Sequence, residues 1–124
     1  MSFDVFLFSF WPQSHERALQ VTALIRPLLS SSAMSIVLPD GEADIYGWEP
    51  NGDGLVTGMM LNHIGGRVAW DLLVEIAKVG RFAIHPIGCA MCFVDEADLQ
   101  HAPAEFPTRI ISSGAELLEE ILAN

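Results

Sequence analysis

The chain has 124 residues, 51% apolar and only 18% charged, and its sixteen acidic against six basic residues leave a formal net charge of −10. Its length fits one domain with a folded surface of roughly 6,600 Å² and a core large enough to need no staples. The charge speaks against nucleic acid and anionic membranes as direct partners, and two cysteines do not make a disulfide framework.

The opening Met1-Ser2-Phe3-Asp4 has no basic residue and carries an acid, so it does not read as a signal peptide. Its apolar run, Val5 to Trp11, falls far short of the about 20 residues a bilayer needs. A cytoplasmic protein is expected. Residues 3–10 (FDVFLFSF) are apolar at both alternating sets of positions, which predicts a central strand covered on both sides. Pro12 ends it. Ser14 is placed to cap a helix reaching about residue 29, with Val21, Leu24, Ile25 and Leu28 as its apolar stripe and Pro27 set to kink or stop it. Strands are predicted at 34–38, 43–48 and 55–61. Asp40-Gly41 and Pro50-Asn51-Gly52-Asp53-Gly54 between them have hairpin-turn chemistry, so the middle third reads as an antiparallel meander.

Gly65-Gly66 precedes a second helix, 67–79, with Val68, Leu72, Leu73, Ile76 and Val79 inward and Gly80 as its left-handed terminator. Strands follow at 81–85 and 88–94, then an acidic loop or short helical turn at 95–105 and a last strand at 108–111. Ser113 and Glu116 have capping-box spacing ahead of Leu117, Leu118, Ile121 and Leu122. The order predicts a single α+β domain, a two-layer sandwich of a mixed, largely antiparallel sheet with about three helices packed on it.

Candidate chemistry centres on His85, Cys89, Cys92 and His101, four nitrogen or sulfur ligands in one short stretch that could close a tetrahedral zinc site. Residues three apart on a strand face opposite ways, and Phe93 follows Cys92 where a glycine would ease a tight knuckle. Two buried thiols in a core strand is the alternative reading. A redox role fits poorly, because Asp95, Glu96 and Asp98 disfavour a thiolate. Asp40-Gly-Glu42-Ala-Asp44 hints at a calcium loop, but Ile45 and Asn51 fall where an EF-hand needs Gly and Glu. His63-Ile-Gly-Gly has no accompanying nucleophile elbow. Glu119 and Glu120 read as a splayed, solvated pair, and Trp48 and Trp70 as core side chains unless one anchors an interface. No cofactor is expected.

No Lys or Arg occurs between Arg26 and Arg67, whereas Asp40, Glu42, Asp44, Glu49 and Asp53 do; Asp95, Glu96, Asp98 and Glu105 form a second acidic segment. Spread evenly, the excess would be about one charge per 660 Å², too little to steer a partner. Gathered on one side of the sheet, it would focus a field on a basic surface.

In its small size, its opening MSFDVFLF strand, its acid-rich turns DGEAD and NGDG and its lack of a catalytic motif, the chain resembles the small acidic immunity proteins of bacterial toxin systems in general character. The resemblance implies a stoichiometric inhibitor that binds a cognate toxin and masks its active site. The leading expectation is therefore a non-enzymatic cytoplasmic binding protein that meets a basic toxin or effector. Asp40, Glu42, Asp44, Trp48, Glu49, Asp53, Asp95, Glu96 and Asp98 would form the contact. The rival is a small zinc or thiol enzyme built on His85, Cys89, Cys92 and His101. A homodimer joined through an exposed meander edge is a third reading.

Overall fold

The computed structural model describes residues 4–123, so Phe3, the start of the first predicted strand, lies outside the described residues with Met1, Ser2 and Asn124. Local chemistry sets most element boundaries. Ser14 is extended and its hydroxyl accepts the Arg17 N–H, opening helix α1 at His15–Ile25. Pro27 then converts Arg26–Leu28 into a 3₁₀ turn, so the α-helix stops short of its apolar stripe. Helix α3, Gly114–Leu122, opens with Ser113 accepting from the Glu116 N–H. Glu116 reaches back to the N–H and hydroxyl of Ser112, one residue earlier than a capping box requires. Those bonds, the hydroxyl first, hold its carboxyl below the usual range.

Helix α2, Val68–Gly80, departs from expectation at its end. Gly80 is its last residue, and the left-handed position falls to Arg81 at φ 54°. Glycine is needed at 80 for a close approach: a Cβ there would lie 2.4 Å from the Phe82 ring. Val68, predicted inward, is 38% exposed, and so is Leu122 at 64%.

Seven strands form one sheet: β1 Val5–Phe8, β2 Ser35–Leu38, β3 Gly41–Tyr46, β4 Gly58–Asn62, β5 Ala83–Pro86, β6 Met91–Phe93 and β7 Thr108–Ile110. Their order is β2-β3-β4-β1-β5-β6-β7, with every neighbouring pair antiparallel except β6–β7. The meander predicted for the middle third is present as β2-β3-β4. β1 is central, paired to β4 on one side and β5 on the other. The parallel β6–β7 pair needs a crossover. The 94–107 connection supplies it and contains a 3₁₀ turn, Glu96–His101, capped by Asp95. The result is the expected α+β fold, an open mixed sheet with helices on it.

The main core lies between the helices and one face of the sheet. Val5 and Leu7 of β1, Ile45 of β3, Leu61 of β4 and Ile84 of β5 pack there with Val21, Ile25, Leu73, Ile76 and Leu117. The prediction that β1 is covered on both sides is corrected: Leu7 is 1% exposed, but Phe6 on the other side is 38% exposed. A second, smaller cluster on that side joins Ala83, Met91 and Phe93 to Phe8, Phe10, Leu99 and Ala102. The 94–107 connection thus shields the β5–β7 half and leaves the β2–β1 half open. The accessible surface is 6371 Å², close to the size-scaling value. Among the described residues, no helix is long and apolar enough to cross a membrane.

Candidate functional site

Strand registers place side chains on the open face in rows. Tyr46 stands opposite Met60, Met60 opposite Phe6, and Phe6 opposite His85. The His85 ring meets Phe106 edge to face at 5.4 Å. Tyr46, Phe6 and Phe106 are 38–39% exposed, so a row of Tyr46, Met60, Phe6 and His85 crosses four strands and is partly open to solvent up to its His85 end. At about 4.8 Å per strand it is about 14 Å long before Phe106 extends it.

The neighbouring row, two residues along each strand and therefore about 7 Å away, is polar. Asp44 stands opposite Asn62. The Asn62 amide donates to Asp4 Oδ1 at 3.2 Å, and the His63 ring nitrogen Nδ1 lies 2.8 Å from Asp44 Oδ2. Asn62 Oδ1 is buried and has no donor, so this row holds more acceptors than protons. Glu42, beside Val37 on β2, adds another carboxylate further along β3. Among the described residues, no strand position on this face is Lys or Arg. The six bases lie in or beside the helices, at Arg17, Arg26, Arg67, Lys78 and Arg81, or on the helical face, where Arg109 pairs with Glu119 and Glu120 of α3.

The predicted acidic residues are dispersed by this topology. Only Glu42 and Asp44 reach the open face from the strands. Asp40 caps α2, accepting the N–H groups of Arg67 and Val68, and the Arg67 bond in particular keeps its carboxyl below the usual range. Glu49 and Asp53 lie in the β3–β4 loop, where the Asp53 carbonyl is 2.8 Å from the His15 ring. Trp48 is 5% exposed inside the core, with the Arg26 guanidinium 5.2 Å from its ring centre, and presents almost no surface to a partner. Asp95 and Glu96 flank a cleft that also holds Lys78 and Arg81. With β4, β1 and β5 between β3 and β6, the two acidic segments stand about 19 Å apart, and they form no common patch.

Asp98 is buried. Its Oδ1 accepts from Arg81 Nη2 at 2.6 Å and from the Trp11 indole N–H, while the guanidinium lies 4.2 Å from the Trp11 ring centre. The adjoining cleft, about 440 Å³, is lined by charges of both signs and by no Ser, Cys or His. It is an ion-paired seam tying the 9–13 segment, the end of α2 and the 3₁₀ turn together.

The four candidate metal ligands do not converge. Cys92 stands opposite Ile84 on the helical side of the sheet, so His85, the next residue along, points to the open side. Cys89 sits in the β5–β6 turn and His101 in the 3₁₀ turn, where its ring packs on Trp11. Among the described residues, no group of three or more His, Cys, Asp or Glu side chains could hold a metal ion. Burial first and Glu120 second raise both thiols, Cys92 to about 12. Iodoacetamide at about pH 8 is therefore expected to modify Cys89 slowly and to spare Cys92 until the chain unfolds. Fast native labelling of Cys92, read by mass spectrometry, would contradict this burial. Glu119 and Glu120 are not a purely solvated pair either: Glu120 accepts the Ala90 N–H, and both approach Arg109.

Asp4, Phe6, Tyr46, Met60, Asn62 and Phe106 were missed in the sequence. Alternation in 3–10 put Phe6 and Phe8 on one face, but only strand pairing shows which face the helices take. No known protein family, curated protein or solved structure is found to match the chain.

Proposed function

We propose that this chain is a non-enzymatic inhibitor of the immunity-protein kind, which binds a basic toxin or effector through the open face of its sheet. The observation that carries the reading is the segregation of charge: Asp4, Glu42 and Asp44 share that face with exposed Phe6 and Tyr46, and among the described residues the strands place no Lys or Arg there. Aromatic side chains supply contact area at low entropic cost, and a one-sign rim speeds encounter with a basic partner. Cys92 is buried, Cys89 is half-buried in a turn, and the candidate metal ligands lie apart from one another.

Co-expression with the product of the adjacent gene tests this. Growth should be protected and a stoichiometric complex should form. Its association rate should fall as salt rises from about 50 to 500 mM. The triple change Asp4→Asn, Glu42→Gln, Asp44→Asn should slow association about 10-fold at low salt. Unprotected growth with no complex would sink the reading, and a complex indifferent to salt and to these changes would remove the acidic face from it.

A further inference from the structure

The open face also specifies the shape of what covers it. Resting on the inhibitor reading above, we infer that the partner inserts a cationic amphipathic α-helix, laid across the strands with its apolar stripe on the aromatic row and its Lys or Arg residues along one flank over the acidic row. The row formed by Tyr46, Met60, Phe6 and His85 crosses adjacent strands in register. Its about 14 Å length equals nine or ten helical residues at about 1.5 Å each, room for apolar contacts at positions i, i+4 and i+7. Phe106, packed on His85, closes one end.

The acidic row runs beside this one at about 7 Å. That offset places it under one flank of a helix about 10 Å wide, within reach of a Lys or Arg side chain. Asp4 and Asp44, the latter also held by the His63 ring, lie on the same flank. A partner with bases on both flanks gains nothing from the second.

A helix suits a sheet face for a further reason. The backbone N–H and C=O groups of the inner strands are already spent on their neighbours, so an extended peptide laid there would leave its own unpaired. A helix satisfies its backbone internally and docks by side chains alone, as α1 to α3 do on the opposite face. An added strand would need an edge, and on β2 that edge is partly taken, with Leu29 bridged to Ile36 and the Ser30 N–H bonded to the Ser35 carbonyl. A second copy of this chain fits badly, since stacking two open faces would bring Asp4, Glu42 and Asp44 of both together.

The probe is a synthetic peptide of about 14 Leu and Lys residues with Leu on one helical stripe and Lys on one flank, titrated into the isotope-labelled full chain. A scrambled peptide of the same composition controls for the net charge of the protein. Amide shifts should concentrate at Phe6, Asp44, Tyr46, Met60 and Asn62, and the scrambled peptide should bind at least about 10-fold more weakly. Phe6→Ser and Asp44→Asn should each weaken the amphipathic peptide several-fold while leaving the rest of the spectrum in place. Equal binding of the two peptides, shifts confined to the helical layer, or no shift on the face would overturn the inference. The two readings separate cleanly. A toxin that is captured and neutralised but indifferent to Phe6→Ser leaves the inhibitor standing and removes the helix. A peptide bound on the face with no toxin neutralised does the reverse.

Discussion

Replacing Asp98 by Ala is expected to cost about 2–3 kcal/mol, a fall in Tm of roughly 8–12 °C for a domain of this length. The carboxylate is 7% exposed as a residue and takes two donors on one oxygen, the Arg81 guanidinium and the Trp11 indole. Deleting it leaves both donors without their acceptor in a half-buried seam. The penalty sits below that of a fully buried pair because the Arg81 side chain keeps 28% exposure and has Asp95 at 4.0 Å. Arg81 also pays for its left-handed backbone, at φ 54°, only so long as its side chain is anchored. Thermal unfolding followed by circular dichroism checks the value. A shift under about 2 °C would mean that the seam contributes no net stability. Trp11→Phe, which keeps the ring beneath the guanidinium but removes the indole donor, should fall between wild type and Asp98→Ala.

Gly114→Ala is the second large effect, about 2 kcal/mol destabilising. A Cβ at this position would lie 2.4 Å from the Asp71 backbone nitrogen and 2.6 Å from the Trp70 carbonyl carbon, both in the first turn of α2. Main chain cannot rotate away as a side chain would, so α3 must back off. That movement stretches the 3.0 Å bond from the Gly114 N–H to Asp71 Oδ1 and opens the contact that buries Leu117. Alanine's better helix propensity opposes this by at most about 1 kcal/mol. Denaturant titration should show a lower midpoint with an unchanged slope. Gly52→Ala, with nothing within 4 Å of its added Cβ, is the matched control and should leave the midpoint in place. A Gly114→Ala midpoint equal to that control would refute the close-approach explanation.

The parts of this structure legible in the sequence are those fixed by neighbours along the chain. Ser14 and Ser113 accept the N–H groups expected of caps, and Pro27 ends α1 where a missing donor must. The hairpin residues around Asp40-Gly41 deliver the β2–β3 turn. What escaped depends on partners distant in sequence. Nothing near Gly80 announces Phe82 folding back over it, which moves the left-handed position to Arg81. The acids of 40–53 looked like one cluster because they are close in sequence. Glu42 and Asp44 stay together on one face of β3, but a cap withdraws Asp40, and a loop carries off Glu49 and Asp53. Asp4 joins Asp44 only because β1 lies beside β4, a pairing that no local pattern encodes.

The central place of β1 also sets the timetable on which this chain is assembled. Of the described strands it is synthesised before the other six, yet its neighbours are residues 58–62 and 83–86. At about 5–20 residues per second, its second partner arrives roughly 4–16 seconds later. Until then Val5, Leu7 and the phenylalanines between and beyond them form an unpaired apolar segment. The β2-β3-β4 meander, complete within about 30 residues, is free to form in that interval and to present the β4 edge as a template. Sheet closure is then a late, long-range event of the kind that slows folding. A nascent chain arrested before residue 83 should hold the meander while leaving the β5 side of β1 open to chaperones.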